Sequence, residues 1–307
     1  TMSNSLFFET SRHWDCLLVE ANPHLQASIL AKHRGCHLLK GGLSITDGPS
    51  SFPFRLAGAL GGFEATYDET RQKRVNKEAA EVARTSKRID WENRTVTVPC
   101  YPLVDIMRTL NRKVIDYWSL DTEGSEVLIL EHTDFSAIEV GVISVEWAND
   151  PTQRYREVLR SLLERKGMSR VMMGPLDDFY ANRKYFDARG LVFPGSSRPP
   201  VPSAPFVARK SLSTPLLERS PERSPEPTVA APADLAVGLG DLSSHLVSPG
   251  APSTIIDYTL GKYFSQDGQD RWVDGVFGGR SGLFVVESGA YDGLTMSNSL
   301  FFETSRH

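Results

Sequence analysis

The 307-residue chain carries 34 Lys and Arg against 38 Asp and Glu, a formal net charge of -4, and is 40% hydrophobic and 23% charged. That balance gives no basic surface for a nucleic-acid backbone, and no uncharged apolar run reaches the roughly 18 to 20 residues of a bilayer span. A globular protein with no nucleic-acid or membrane partner is expected. The first residues lack the basic start and small-residue cleavage site of a signal peptide. The three cysteines, Cys16, Cys36 and Cys100, are widely spaced without a CxxC pair, so a reducing, cytoplasmic setting is expected.

Residues 1–13, TMSNSLFFETSRH, reappear without a mismatch as residues 295–307. An identity of that length in a mixed composition is a repeat rather than a bias, and its period is that of a whole domain plus a linker. A tandem array, or a chain opened in mid-domain, is expected. Neighbouring repeat domains or a swapped dimer are the protein partners this implies.

From Trp14 to about Phe193, short apolar runs alternate with helical patterns: CLLVEAN, HLQASILAKHRG, CHLLKGGLSI, VIDYWSLDTEG, VGVISVEWA and SRVMMG in turn. Such alternation specifies an α/β sheet with helices packed on it. Residues 71–88, RQKRVNKEAAEVARTSKR, predict a basic helix, either a solvated face or a lid that selects an anionic or sugar-like acceptor. The clearest helical period lies in residues 152–166, where Tyr155, Val158, Leu159, Leu162 and Leu163 recur on one face and Gly167 supplies the stop.

Residues 194–253 are rich in Pro, Ser and Ala and almost without aromatic side chains, so a disordered linker is expected there. Ser220 and Ser224 precede prolines within it, a pattern open to phosphorylation, with a solvated linker as the favoured reading. Ordered patterning resumes afterwards. The chain thus divides into a domain body over 1–193, a linker over 194–253 and a returning segment over 254–307.

The returning segment carries the chemistry. An apolar strand, Leu283 to Val286, runs into Glu287-Ser288-Gly289-Ala290-Tyr291-Asp292-Gly293, and a helical pattern follows. Strand, glycine turn and helix start make a cofactor site in which Gly289 allows the tight turn and Gly293 the close approach of a ligand. Joining Leu294 to Thr1 through the duplicated stretch places the strand Cys16 to Val19 next, ending on Glu20. A carboxylate at that tip is positioned for both ribose hydroxyls of an adenosine. Assembled this way the chain is a circular permutant with residues 283–287 beside residues 16–19, and a flexible linker of about 60 residues, spanning roughly 40 to 45 Å, can close it. The C-terminal copy of the repeat, tethered directly to Gly293, is expected to take the helix position and bring Asn298 to the cleft, with Asn4 as the alternative. A nicotinamide dinucleotide is the competing ligand for the same turn. It is disfavoured because GxGxxG is missing and Tyr291 would crowd a pyrophosphate.

SQDGQD, GAYDG, SNS with its following glutamate, LLVEANP and YWSLDTEGSEVLIL, in that order and spacing, resemble the FkbM-type methyltransferase domain. The resemblance covers nearly all of the ordered sequence. It implies a class I methyltransferase fold, a Rossmann-like sheet with helices on both faces, with S-adenosylmethionine as donor and an oxygen of a small molecule or glycan as acceptor. It places Glu287, Ser288, Gly289, Ala290, Tyr291, Gly293, Glu20, Ala21, Asn22 and either Asn298 or Asn4 around the donor. Glu287 stands where relatives usually carry aspartate, so its longer carboxylate is expected to reach the methionine amino group, and Ser288 is unusual beside it.

Open α/β sheets bind ligands at the carboxyl ends of their strands. Asp121, Glu123 and Glu126 follow the strand Val114 to Leu120, and Glu146 closes the strand Val140 to Val145. Asp121 is the candidate beside the transferring methyl and Glu123 the second catalytic candidate, with helix capping as the other role open to Glu123 and Glu126. Displacement at a sulfonium depends on alignment, and a base is useful when a hydroxyl must lose its proton. Asp121, Glu146, Asn149 and Asp150 present oxygen ligands of the kind magnesium takes, but no metal is assigned, and His13 and His132 are given no role. A domain that binds the donor without turnover, and an interaction protein of repeated domains on linkers, are the alternatives to an active enzyme.

Overall fold

Strands buried on both faces need almost continuous apolar sequence, and the runs that have it form the centre of the fold. The structure, a computed structural model, describes residues 3–57, 60–67, 69, 71–77, 94–147, 153–195, 241–249, 263, 265 and 268–291. In chain order the strands are β1 (Asp15–Glu20), β2 (His37–Lys40), β3 (Gly42–Leu43), β4 (Ser50–Arg55), β5 (Gly62–Phe63), β6 (Thr95–Tyr101), β7 (Val114–Leu120), β8 (Glu139–Glu146), β9 (Ser169–Met173), β10 (Asp177–Ala181), β11 (Leu246–Val247) and β12 (Phe284–Ser288).

Eight of them form one sheet in the order β11-β2-β1-β12-β7-β8-β10-β9. β2, β1, β12, β7 and β8 run parallel, while β10 and β11 join antiparallel to their neighbours. β12, the last of the described strands, lies between β1 and β7: Asp15 to Val19 pair with Phe284 to Ser288, and Val285 to Ser288 pair with Tyr117 to Leu120.

Strand alternation sends Leu17 and Val19 to one face and Cys16 and Leu18 to the other. Helices Leu103–Thr109, Glu126–Glu131 and Arg154–Arg165 cover the first face, and α1 (Leu6–Arg12), α2 (Pro23–Ala31), Arg183–Ala188 and Gln269–Val276 cover the second. The helix predicted over 152–166 spans Arg154–Arg165 and stops before Gly167, whose φ is +84. Tyr155, Leu159, Leu162 and Leu163 pack inward, but Val158 is 48% exposed. At 3.6 residues per turn it falls outside the arc the other four share.

Two expectations are corrected. Residues 241–249, within the stretch read as linker, form the short helix Leu242–His245 and β11, whose Leu246 and Val247 pair with Leu39 and Leu38. Leu242 and Leu246 bury against the core, which is enough to order this piece. Ser220 and Ser224 lie outside the described residues. Second, Cys16 and Cys36 form a disulfide, and Cys100 is free and buried. Cys16 is in β1 and Cys36 immediately precedes β2, so parallel pairing of the two strands draws together cysteines 20 positions apart. The ground for expecting a reducing compartment is thereby removed. No described helix is long and apolar enough to cross a membrane.

A second sheet, β3-β6-β4-β5, stands over the carboxyl end of the first. Gly41 N donates to Glu20 O at 3.1 Å, which turns the chain out of β2 and into β3. Gly42 is required at this fold-over, since a Cβ would come within 2.6 Å of the Phe63 ring.

The central position of β12 makes a stability prediction. Phe284→Ala should cost about 3 to 5 kcal/mol in urea unfolding, as for a large side chain removed from a core, and Val247→Ala at the edge below about 1 kcal/mol. Equal costs would contradict the strand order.

Candidate cofactor and acceptor cleft

The carboxyl ends of β1, β12 and β7 meet under the small sheet around a cleft. Val19, Glu20, Gly289 and Tyr291 line it on the strand side, Leu43, Phe54 and Phe63 on the side of the small sheet, and Asp121, Thr122 and Glu123 at the end of β7.

Gly289 locks the three strand tips. Its φ is +85, and a Cβ there would lie 1.7 Å from the Asp121 carbonyl oxygen, so only glycine fits. Gly289 N and Ala290 N both donate to Val19 O, at 3.1 and 3.2 Å, and Asp121 N donates to Ser288 O at 3.1 Å. Tyr291 continues the turn in the left-handed region, with φ 52.

Glu20, 5% exposed, accepts from Asn22 N through Oε1 at 2.7 Å. Asn22 caps α2, its Oδ1 accepting from His24 N at 3.0 Å with Pro23 in the first turn. Its Nδ2 is buried and has no hydrogen-bond partner among the described residues. Ala21 lines the cleft between them.

Glu287, Ser288, Ala290 and Asn4 do not line the cleft; they support it from behind. Glu287 accepts from Asn4 N (2.8 Å), Ser3 Oγ (2.8 Å) and Ser5 Oγ (2.5 Å), so its carboxylate is held by the residues that lead into α1. Asn4 Nδ2 donates to Ser119 Oγ at 2.8 Å, Trp118 Nε1 donates to Ser288 Oγ at 3.0 Å, and Ala290 packs in the core of the second face. The copy of the repeat at this position is the N-terminal one, contrary to the expectation from connectivity. β1 pairs directly with β12, so residues 3–13 are tethered as closely to Glu287 as a continuation of the glycine turn would be. Gly293 and Asn298 lie outside the described residues.

At the β7 end, Asp121, Glu123 and Glu146 bring carboxylate oxygens within 4.8 Å of one another. Asp121 is hydrogen-bonded to Glu146, and burial followed by the neighbouring carboxylates pushes both well above the ordinary carboxylate range. Glu123 is raised by burial against the pull of Arg71, with which it forms an ion pair. Its φ of 56 puts it in the left-handed region within the 121–125 turn. Glu126 holds that turn, accepting from Thr122 N (2.8 Å), Gly124 N (3.0 Å) and Tyr155 OH (2.5 Å). Glu126 is therefore a backbone anchor. Asn149 and Asp150 lie outside the described residues.

Arg71, Phe54 and Phe63 were not singled out from sequence, and Tyr155 was read only as part of the packing face of its helix. Arg71 belongs to the basic run read as a solvated face or a lid, and only its ion pair marks it out. Phe63 sits in a strand too short to show a period, and β4, which carries Phe54, holds a proline and buries only that one side chain.

The raised carboxyls give stability a direction with pH. In the folded state they hold protons that the unfolded chain has released above about pH 4. Their contribution is therefore complete below that value and lost as pH rises through the raised values. Glu146→Gln should flatten the fall of the unfolding midpoint from about pH 5 upward; an unchanged slope would place its source elsewhere.

The family model of the methyltransferase FkbM domain matches residues 2–170. The match takes in more than half of the chain, including Glu20, Asp121, Glu123 and Glu146, whereas β12 and the glycine turn lie beyond it. No curated protein and no solved structure matches the chain. With its α/β sheet and the carboxyl-end cleft, the chain belongs to the FkbM methyltransferase family.

Proposed function

We propose that the chain is an S-adenosylmethionine-dependent methyltransferase acting on a hydroxyl of a small molecule or glycan, with a class I sheet assembled in circularly permuted order. The observation that carries this is the meeting of Gly289, Glu20 and Asp121, from three strands distant in sequence, around one cleft. The strand order supports it. Neighbours on one side of β12 are β1 and β2 and on the other β7 and β8, which makes β12 the switch point where open α/β sheets bind ligands.

The residues present fit the donor. Glu20 at the tip of β1 suits a ribose diol, and the unpartnered Asn22 Nδ2 at the same wall can donate to the adenosine. Leu43, Phe54, Phe63 and Ile129 offer apolar surface for the base. Among the described lining residues none is Lys or Arg, which suits a ligand without phosphate better than a dinucleotide. When bound, S-adenosylmethionine supplies a methyl group on a positively charged sulfur.

The chain's own groups do the rest. The Asp121–Glu146 pair takes up the proton that a hydroxyl acceptor must lose, and its raised affinity for protons brings it closer to working pH than an ordinary carboxylate. Glu126 and Tyr155 keep the 121–125 turn in place, so Asp121 is aimed rather than merely present. Glu123, paired with Arg71, limits the negative charge at that end.

Glu20→Ala should weaken S-adenosylhomocysteine binding by on the order of 1.5 to 3 kcal/mol in calorimetry, as for hydrogen bonds to a charged group. Asp121→Asn should leave that binding nearly intact and abolish transfer to a panel of hydroxyl acceptors. Unchanged affinity in Glu20→Ala would overturn the assignment.

A further inference from the structure

We propose that Arg71 is a positioning residue for methyl transfer: acting through Glu123 and the Gly124 backbone, it fixes the 121–125 turn that aims Asp121 and ties that turn to the edge of the small sheet. The inference rests on the methyltransferase reading and adds to it a residue that does not itself line the cleft.

Residues 71–77 are helical, and one side of this part of the basic run turns inward. Arg71 and Val75, four positions apart, share a face. Val75 is 1% exposed, whereas the Lys73 side chain is 82% exposed. The Arg71–Glu123 ion pair is buried accordingly, with side chains 18% and 4% exposed. An exposed pair adds little to a fold, but a buried one cannot lose a partner without leaving a charge uncompensated.

The guanidinium lies against the Gly124 backbone, where a Cβ would come within 2.8 Å of Nη1, and over the Tyr67 ring, 5.6 Å from its centroid. Tyr67 in turn packs on Gly62 of β5, where a Cβ would meet Tyr67 Cε1 at 3.0 Å and the Glu123 carbonyl oxygen at 3.2 Å. β5, Tyr67, Arg71 and the turn therefore meet at one place, and Gly61 and Phe63 on either side of Gly62 line the cleft. Glu123, with φ 56, keeps a conformation that a non-glycine residue holds only when its surroundings fix it. Glu126 fixes the turn from within, and Arg71 fixes it from the side of the small sheet. Asp121 opens that turn, so its direction depends on both.

The same contact sets the charge at this end. Arg71 and Arg74 face Glu123 from their helix, with Tyr67 beside them, while Glu126, Glu146 and Asp177 stand around Asp121, and Tyr155 is bonded to Glu126. Removing the Arg71 charge makes every carboxyl there hold its proton more tightly. The pH at which the Asp121–Glu146 pair can accept a proton then moves upward.

Arg71→Met, Arg71→Lys, Glu123→Gln and the Arg71→Met/Glu123→Gln double variant test this. The readings are methyl transfer to methyl glycosides and simple polyols, calorimetry with S-adenosylhomocysteine, and infrared titration of the protonated-carboxyl band. Arg71→Met should lower kcat at least about tenfold, with acceptor KM within about threefold and S-adenosylhomocysteine affinity within about twofold, because the Glu20 end is untouched. Its carboxyl band and the rising limb of its pH profile should both move to higher pH. Arg71→Lys should return both to their original pH while restoring only part of kcat, since an ammonium keeps the charge without the planar fork. If Arg71 acts through Glu123, the double variant should be no slower than Arg71→Met. An unmoved carboxyl band in Arg71→Met, or losses in the two single variants that add in the double, would overturn the proposal. Should Arg71→Met not fold, an unchanged kcat in Arg71→Lys would overturn it. An unaltered chain that neither binds S-adenosylhomocysteine nor transfers methyl removes the methyltransferase reading and this inference together, whereas donor binding with an unmoved band removes this inference alone.

Discussion

The Glu287 carboxylate is the joint on which the rest of the structure depends. A buried carboxylate is costly unless it is fully hydrogen-bonded, and this one, 2% exposed, receives Ser3, Asn4 and Ser5 from the opposite end of the chain. Satisfying it fixes the start of α1 against β12 and so sets the backbone of the glycine turn. From there Gly289 reaches Val19 by its own amide and closes so tightly on Asp121 that no side chain fits. The cleft is the space left when these three strand ends are fixed.

The two ends of the cleft obey different electrostatics. At the Glu20 end the polar groups are organised by local capping, with Asn22 serving both β1 and α2. At the Asp121 end, burial and crowding keep protons on carboxyls that would shed them in water. Such a cluster destabilises the folded state at higher pH, and it is the arrangement that the proton transfer proposed above calls for. Arg71 and Tyr155 contain the cost by pairing with Glu123 and Glu126.

What the sequence made legible follows from the range of its signals. β7 and the apolar part of β1 could be bounded almost to the residue because their side chains are buried on both faces and read as nearly continuous apolar runs. Glu20, Gly289 and Asp121 could be located because a strand tip and a glycine turn are local features. The disulfide, β11 and the small sheet could not, since each exists only through pairing between distant segments that carry no periodic mark of it. Glu287 was recognised as a site residue from the length and place of its side chain, but the residues that engage its two oxygens could not be read: Asn4 N donates to Oε1 and the Ser3 and Ser5 hydroxyls to Oε2. The occupancy of the repeat's seat was misjudged for a related reason. Connectivity to Gly293 was visible in the sequence, while the pairing of β1 with β12 was not.

The most direct test of this joint is the calorimetric affinity of Glu287→Gln for S-adenosylhomocysteine, measured alongside its far-ultraviolet circular dichroism. An amide can accept from one donor but presents its own N–H groups to the others, so the turn should lose its support. Affinity should fall at least about tenfold, the equivalent of about 1.4 kcal/mol, with secondary structure retained, although Glu287 does not line the cleft. Full affinity in a folded Glu287→Gln protein would contradict the claim that this buried carboxylate builds the site.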